Sequence, residues 1–145
     1  VMQDVSPPAS QAPRPAPGGV VIVDDDPDFR EFVRIVLEKH GYQVHEAEDA
    51  TAGLRLIRQV APDLVLLDAM MSYELAGVAA IRAIRSDPLL QATPLILISA
   101  VLSEAEDRFL PQDARDMVDR FLSKPISPDN LLAEVAGMVA HRAAD

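Results

Sequence analysis

Three runs of four consecutive apolar residues place the strongest constraint on how this chain can fold. They cover residues 20–23, 64–67 and 95–98 and have the sequences VVIV, LVLL and LILI. Runs this short, without an alternating polar residue, are typical of strands that are buried on both faces. More polar segments over 42–46 and 120–122 are predicted to be two further strands, so the sequence predicts five.

Each predicted strand is followed by a stretch with helical periodicity. The first helix is predicted from apolar residues at i, i+3, i+4, i+7 and i+8 spacing, and Gly41 is predicted to end it. The later helices are predicted to begin after Asp49, after Gly77, near Ser103 and at Ser127. This alternation predicts an α/β fold, a doubly wound five-stranded parallel sheet with helices on both faces.

The first 19 residues differ in composition from the rest of the chain. They contain five of the 12 prolines and end in Gly18 and Gly19. Proline lacks the backbone N–H that helices and central strands need, so this stretch is predicted to be a Pro-rich linker or tail. The interpretation is a tail over residues 1–19 and one folded domain over residues 20–145, a usual length for a single domain.

Charge and composition argue against several classes of function. The chain has 23 acidic and 13 basic residues, and its net charge of −10 disfavours direct binding to nucleic acid or to an anionic membrane surface. No apolar run approaches the ~20 residues that a membrane span needs. The absence of cysteine excludes disulfides and thiolate chemistry. Together with a start that lacks a signal-type pattern, it favours the cytoplasm.

Polar residues follow the apolar runs at the points where the strands end. Because the carboxyl ends of parallel strands meet at one edge of a sheet, these side chains are expected to converge in one cleft. They are Asp24, Asp25, Asp26, Asp68, Ser99 and Lys124. The cleft would therefore combine several carboxylates with one hydroxyl and one ammonium group.

Such a cleft needs a cation, because clustered carboxylates repel one another. Mg²⁺ is the predicted cofactor, since it takes hard oxygen ligands and one or two carboxylates suffice to bind it. The arrangement fits transfer of a phosphoryl group to a carboxylate, with the metal and the Lys124 ammonium neutralising the phosphoryl oxygens. Taken alone, the three aspartates after the first strand also fit a turn and a helix cap.

Four motifs make the sequence resemble the receiver domains of bacterial two-component response regulators. They are VIVDDDPDFR over 21–30, APDLVLLDAMM over 61–71, PLILISA over 94–100 and FLSKP over 121–125. The resemblance extends over residues 20–141 and implies the flavodoxin-like, receiver type of the predicted fold. It also implies a signalling domain and not an enzyme, with at most self-catalysed phosphotransfer and dephosphorylation.

The same resemblance implies a role for each matching residue. Asp68 would be the phosphoacceptor, and Ser99 and Lys124 would contact the phosphoryl group. Asp24 and Asp25 would hold Mg²⁺ together with Asp68. The phosphoryl group would come from a histidine kinase or a histidine phosphotransfer protein. A downstream protein partner would then bind the face formed by the fourth helix, the fifth strand and the fifth helix.

The resemblance implies two further residue roles, and the sequence also departs from the usual pattern of the family. The main-chain carbonyl of Met70 would be a third protein ligand for the metal, and Phe121 would be the aromatic switch residue that acts with Ser99. Ser72 stands where the family usually has proline, and Gly77 comes one residue later than the family's loop glycine. The fourth helix is expected to be atypical, because the segment after Ser99 is lengthened.

Several alternatives stay open at the level of sequence. One is a degenerate receiver that binds its partner without being phosphorylated. Another is a phosphatase of the haloacid dehalogenase type, with Asp24 as nucleophile and Asp26 as general acid, which leaves Asp68 without a role. The sequence also leaves open a homodimer, and a stand-alone regulator as against the receiver part of a longer protein.

Overall fold

Strands and helices alternate along the whole of the chain that the computed structural model describes, residues 19–69, 76–99 and 111–144. The elements are β1 (Gly19–Val23), α1 (Pro27–Glu38), β2 (Gln43–Ala47), α2 (Ala50–Val60), β3 (Leu64–Asp68), α3 (Ala76–Ser86), β4 (Leu95–Ser99), α4 (Gln112–Asp116), β5 (Arg120–Ser123) and α5 (Pro128–Ala144).

The five strands form one parallel sheet in the order β2-β1-β3-β4-β5. The chain reverses its direction of travel across the sheet after β2, so β1 and β3 are neighbours at the sheet's switch point. The predicted doubly wound parallel fold is confirmed. Its order puts β3 at the centre of the sheet and leaves β2 and β5 as the edge strands.

Alternate residues of the three central strands contribute to two separate hydrophobic cores. In β1, Val20 and Ile22 belong to the core shared with α1 and α5. Val21 and Val23 belong to the core shared with α2, α3 and α4. Because both faces are covered, the central strands carry no polar alternation, which explains the purely apolar runs.

Side-chain caps fix where three helices begin. The carboxylate of Asp26 accepts from the Asp28 amide at 3.0 Å, and that of Asp49 accepts from the Ala52 amide at 2.8 Å. The Ser127 hydroxyl accepts from the amide three residues later, at 3.1 Å. The predicted caps at Asp49 and Ser127 are therefore confirmed.

Several predicted boundaries differ from the structure by a few residues, including those of β2 and α3. β1 begins at Gly19, one residue inside the predicted tail, while residues 1–18 lie outside the described residues. α1 ends at Glu38, and Gly41 lies beyond it, with a φ of 91° that a side chain rarely adopts. The helix predicted from near Ser103 is described only over α4, since residues 100–110 are outside the described part.

A glycine lets α2 approach β1 closely. A Cβ atom on Gly53 would lie 2.8 and 3.0 Å from the two γ-carbons of Val23. Since Val23 is the last residue of β1, this contact fixes α2 against the strand end that carries the acidic residues. The sequence predicted only that this helix begins after Asp49 and did not show this close approach.

Arg85 of α3 ties together three segments at the amino edge of β4. Its guanidinium donates to the carbonyls of Met117, Gln91 and Thr93 at 2.8, 3.0 and 2.6 Å. It also pairs with Asp119 at 3.1 Å, while only 15% of the Arg85 side chain is exposed. One side chain therefore joins α3 to the α3–β4 loop and to the connection between α4 and β5.

The α3–β4 loop is also held by Asp87. Its carboxylate accepts from the Leu89 amide at 2.9 Å and pairs with Arg58 of α2 at 3.2 Å. The hydrogen bond from Leu89, followed by that from Arg58, lowers the pKa of Asp87 from its usual value. A carboxyl group whose pKa is depressed by folding stabilises the native state at neutral pH, and that contribution is lost as the pH falls through the lowered pKa.

A membrane-spanning helix is not found in the part of the chain described here, because no helix there is both long and apolar enough.

The contact between Gly53 and Val23 predicts opposite effects for two glycine-to-alanine substitutions. Gly53→Ala should lower the free energy of unfolding by about 1–3 kcal/mol, because the new methyl group collides with Val23. Gly137→Ala, in α5, should raise it by about 0.5–1 kcal/mol, because that site is open and alanine favours the helix. Urea denaturation measures both, and a Gly53→Ala protein that is also stabilised contradicts the close approach.

The burial of Arg85 predicts a large difference between two arginines of α3. Arg85→Ala should lower the free energy of unfolding by about 2–4 kcal/mol, since two partly buried carbonyls lose their donor. Arg82 pairs with Asp113 at the surface, where both side chains are about half exposed. Arg82→Ala should therefore change stability by less than about 1 kcal/mol. Equal losses in the two variants, measured by thermal and urea unfolding, would show that the carbonyl contacts of Arg85 do not stabilise the fold.

Candidate functional site

The polar residues singled out in the sequence lie at the carboxyl edge of the sheet. Asp24 and Asp25 follow β1, Asp68 ends β3, Ser99 ends β4 and Lys124 follows β5. Because β3 lies between β1 and β4, Asp68 stands between the acidic pair and the hydroxyl residue. The predicted convergence of these strand ends therefore follows from the observed strand order.

Three of these residues form a carboxylate cluster. Asp24, Asp25 and Asp68 each offer one carboxylate oxygen, and the three atoms all lie within 4.8 Å of one another. Asp24 is completely buried and Asp68 is 5% exposed, whereas Asp25 is exposed. The cluster is thus a buried pair with one carboxylate open to solvent, a donor set of hard oxygens.

Lys124 supplies the positive charge next to this cluster. Its Nζ donates to Oδ2 of Asp24 at 2.8 Å, and 21% of the Lys124 side chain is exposed. The pair spans 100 residues of sequence and reaches from β5 across β4 and β3 to the end of β1. An ammonium is therefore present where the buried carboxylate of Asp24 needs a counter-charge.

The backbone around Asp24 is held by a network that the sequence did not predict. Oδ1 of Asp24 accepts from the Asp26 amide at 2.9 Å, and the Asp24 carbonyl accepts from Nη1 of Arg30 at 2.7 Å. Glu46 of β2 in turn binds Nε of Arg30 at 2.9 Å and pairs with Arg34 at 2.7 Å. The acidic turn is therefore fixed to α1 and β2, a link for which periodicity gives no signal.

Two contacts fix Lys124 itself. Its backbone amide donates to the Ser99 carbonyl at 2.7 Å, which ties the end of β5 to the end of β4. Its Nζ lies 4.2 Å from the centre of the Phe29 ring in α1. The peptide bond to Pro125 is cis. The side chain thus starts beside Ser99, crosses the site and ends between an aromatic ring and Asp24.

A second glycine lies behind the strand that ends in Asp68. A Cβ atom on Gly77 would lie 2.7 Å from the carbonyl oxygen of Ala69 and 3.2 Å from its carbonyl carbon. The first turn of α3 is therefore packed directly on the carbonyl group of Ala69, the residue that follows Asp68. The sequence marked Gly77 by its position in the loop, and the structure supplies a physical reason for a glycine there.

The remaining predicted residues are less closely associated with the cluster or lie outside the described chain. Phe121 is 37% exposed on the edge strand β5. Asp26 caps α1 and is separate from the three clustered carboxylates. Met70 and Ser72 lie outside the described residues, so the predicted main-chain ligand and the loop that carries it are not described.

The carboxyl edge of the sheet places the Asp68 carboxylate, which is chemically able to act as a nucleophile, near an ammonium group that can neutralise an anion. Carboxylate oxygens close to one another favour a divalent cation, and an ammonium beside them favours a second anion such as a phosphoryl group. A buried hydroxyl residue, Ser99, lies one strand away from Asp68. Fold and site together are typical of an α/β signalling domain with an acidic site at the sheet edge.

Comparisons with known proteins agree with that class. Residues 20–136 match the family model for the response regulator receiver domain. The chain is 35% identical over 122 residues to the protein PilH of Pseudomonas aeruginosa, which covers 83% of this chain and 97% of PilH. It is 30% identical over 120 residues to the phosphate regulon transcriptional regulatory protein PhoB of Escherichia coli, which covers 83% of this chain and 51% of PhoB.

Solved structures show the same architecture. The signal receiver domain of a signal transduction histidine kinase from Syntrophus aciditrophicus superposes with a TM-score of 0.74 at 26% identity, covering 86% of this chain and 91% of that one. The chemotaxis protein CheY4 of Vibrio cholerae shares the fold with a TM-score of 0.75 at 24% identity, covering 85% of this chain and 99% of that one.

The chain belongs to the response regulator receiver domain family of two-component signalling. Receiver domains of this family are signalling domains that interact with histidine kinases and downstream effectors, and they bind Mg²⁺ through an acidic cluster. The alternative of a haloacid dehalogenase type of phosphatase is therefore wrong. Its proposed general acid, Asp26, is instead the cap of α1.

Proposed function

We propose that this domain accepts a phosphoryl group on Asp68 from phosphohistidine and that the modification changes its affinity for a protein partner. The donor would be a histidine kinase or a histidine phosphotransfer protein. The observation that carries the proposal is the cluster of Asp24, Asp25 and Asp68 with the Lys124 ammonium bound to Asp24.

The transfer step follows from the chemistry of these groups. A carboxylate oxygen of Asp68 attacks phosphorus, and an O–P bond forms as the P–N bond to the donor imidazole breaks. The electron pair of the broken bond leaves with the imidazole nitrogen, which takes up a proton from solvent. Lys124 neutralises the phosphoryl oxygens, and the Ser99 hydroxyl donates a hydrogen bond to one of them.

The carboxylate cluster fits Mg²⁺. Ligand atoms about 2.1 Å from an octahedral ion lie about 3–4.2 Å apart, and the three oxygens here already lie within 4.8 Å of one another. Asp24, Asp25 and Asp68, with the carbonyl of Met70, are the groups that would hold the ion. When bound, Mg²⁺ would supply neutralisation of charge on the phosphoryl oxygens.

Phosphorylation would cause a two-state conformational change in the part of the sheet that contains β4 and β5. Charge added at Asp68 would draw in Ser99 and rearrange the segment that leads to Phe121, which lies on the strand next to it. A downstream partner would then bind the face formed by the predicted fourth helix, which begins near Ser103, together with β5 and α5. A domain that binds this partner without phosphorylation is the competing hypothesis, and the departures at Ser72 and Gly77 are what favours it.

The proposal predicts a covalent product on a single residue. Incubation with acetyl phosphate and Mg²⁺ should raise the intact mass by one phosphoryl group, because Asp68 is the carboxylate that ends the central strand. Asp68→Asn should abolish the gain, and omission of Mg²⁺ should reduce it at least tenfold, on the order expected for loss of the main charge-neutralising ion. Mass spectrometry of the intact protein measures all three samples.

Asp26→Asn is the matched control, since it removes the same charge from the same edge while asparagine still caps α1. It should be phosphorylated like the wild type. Absence of modification in the wild type, with this donor and with a phosphorylated histidine phosphotransfer protein, would contradict the proposal and favour the phosphorylation-independent module.

Metal binding should also stabilise the folded domain. Mg²⁺ at ten times its dissociation constant should raise the free energy of unfolding by about 1.4 kcal/mol, because it binds the native state. Asp25→Asn should remove this response, since it deletes the exposed member of the carboxylate cluster. Asp26→Asn should keep it. Thermal unfolding with and without Mg²⁺ measures the effect, and an equal response in both variants would argue against the assigned ligands.

A further inference from the structure

We infer that Phe29 is a positioning residue for Lys124, because its ring face holds the lysine ammonium in place beside Asp24 while leaving it available to an anion on Asp68. The inference rests on the proposed function, in which Lys124 neutralises a phosphoryl group. It concerns a residue of α1 to which the sequence motifs assigned no role.

The geometry puts two different partners around one ammonium. Nζ of Lys124 donates to the Asp24 carboxylate at 2.8 Å and lies 4.2 Å from the centre of the Phe29 ring. The second distance is well inside the ~6 Å within which a ring face attracts a cation. One side of the ammonium is therefore covered by the ring, and another is bound to a carboxylate.

A lysine in this position needs such a restraint. Its four-carbon stem is flexible, and 21% of the Lys124 side chain is exposed to solvent. The strand fixes only its start, through the hydrogen bond of the Lys124 amide to the Ser99 carbonyl at 2.7 Å. Without a second contact near Nζ, the ammonium would lose its place at the site whenever its bond to Asp24 opened.

An aromatic ring suits this task better than another anion. A second carboxylate would compete with the phosphoryl group for the ammonium and would add to the repulsion among the aspartates. The ring attracts the cation through its quadrupole, takes no N–H donor and adds no net charge. Lys124 can therefore exchange Asp24 for a phosphoryl oxygen while its contact with Phe29 persists.

Phe29 is itself held firmly. It lies in the first turn of α1, three residues after the Asp26 cap, and the next residue, Arg30, binds the Asp24 carbonyl at 2.7 Å. Its ring packs against Phe32 with a centroid separation of 5.9 Å and a tilt of 41°. The ring is thus anchored to the same turn that carries the acidic residues, so it moves with them.

The first test observes the contact directly. In NMR spectra of the full chain, the Lys124 Cε protons should show a ring-current shift to high field, because the Nζ atom bonded to Cε lies over the Phe29 ring. The shift should disappear in Phe29→Leu and persist in Phe29→Tyr. A double-mutant cycle of Phe29→Leu with Lys124→Met should show coupling of about two- to tenfold in the unfolding equilibrium constant.

The second test measures phosphorylation by acetyl phosphate in the presence of Mg²⁺. The Asp68 carboxylate forms an O–P bond while the P–O bond to the acetyl group breaks and acetate leaves. Phe29→Leu should slow this step about three- to tenfold, which is what loss of one cation–π contact amounts to. Phe29→Tyr should restore the rate to within about twofold, since it keeps the ring face.

Val33→Ala is the matched control, because Val33 lies on the same helix and is buried in the same core, whereas the ammonium lies over the Phe29 ring. It should lower stability while leaving the phosphorylation rate within about twofold of the wild type. Equal rates for wild type and Phe29→Leu would overturn the inference, and so would absence of the ring-current shift. A wild type that is never phosphorylated would instead overturn the proposed function, with the ring-current shift still present.

Discussion

The carboxylate of Asp24 is completely buried, and a buried charge without a partner costs several kcal/mol. The Lys124 ammonium at 2.8 Å offsets that cost, and much of the site depends on this pair. Because the pair joins the first and last strands, it forms only when all the strands between them are in register. The ion pair therefore depends on a complete sheet, and the sheet in return fixes the distance between the two charges.

Two glycines allow helices to pack closely on the ends of β1 and β3, near this ion pair. Gly53 brings α2 against the last residue of β1, and Gly77 brings α3 against the carbonyl of Ala69, the residue after Asp68. Contacts this close leave no room for the strand ends to shift, since protein interiors are packed at crystal-like density. The close contacts of α2 and α3 thus fix the strand ends that carry Asp24 and Asp68. The carboxylates of these two residues lie at the edge of the sheet where Asp25 is exposed to solvent.

The sequence was sufficient to predict the topology and the convergence of the polar residues. Purely apolar runs marked the buried strands, and the position of Asp68 and Lys124 after such runs placed them at one edge. The sequence did not show the close approaches of Gly53 and Gly77, because a short interatomic distance depends on how two elements pack and leaves no periodic signal. It also missed Phe29, whose spacing in α1 fits an ordinary core position equally well.

Side chains that bind backbone carbonyls could not be predicted from the sequence for a related reason. By their position in the sequence, Arg30 and Arg85 both fit surface charges of amphipathic helices. In the structure Arg30 binds the Asp24 carbonyl and Arg85 binds three carbonyls near β4. A carbonyl is present in every residue, so no residue type marks the acceptor. Only the folded structure determines which carbonyls have no backbone N–H donor and can therefore accept from a side chain.

The contacts of Arg85 also determine which parts of the domain open together. Asp119 accepts from both Arg85 and the Leu95 amide, and its own amide donates to the Leu95 carbonyl at 2.9 Å. Separation of α3 would therefore release the start of β4 and the approach to β5 in one event. Segments joined in this way are expected to open as one cooperative unit, so that their amide hydrogens would exchange with solvent at a shared rate although they are distant in sequence.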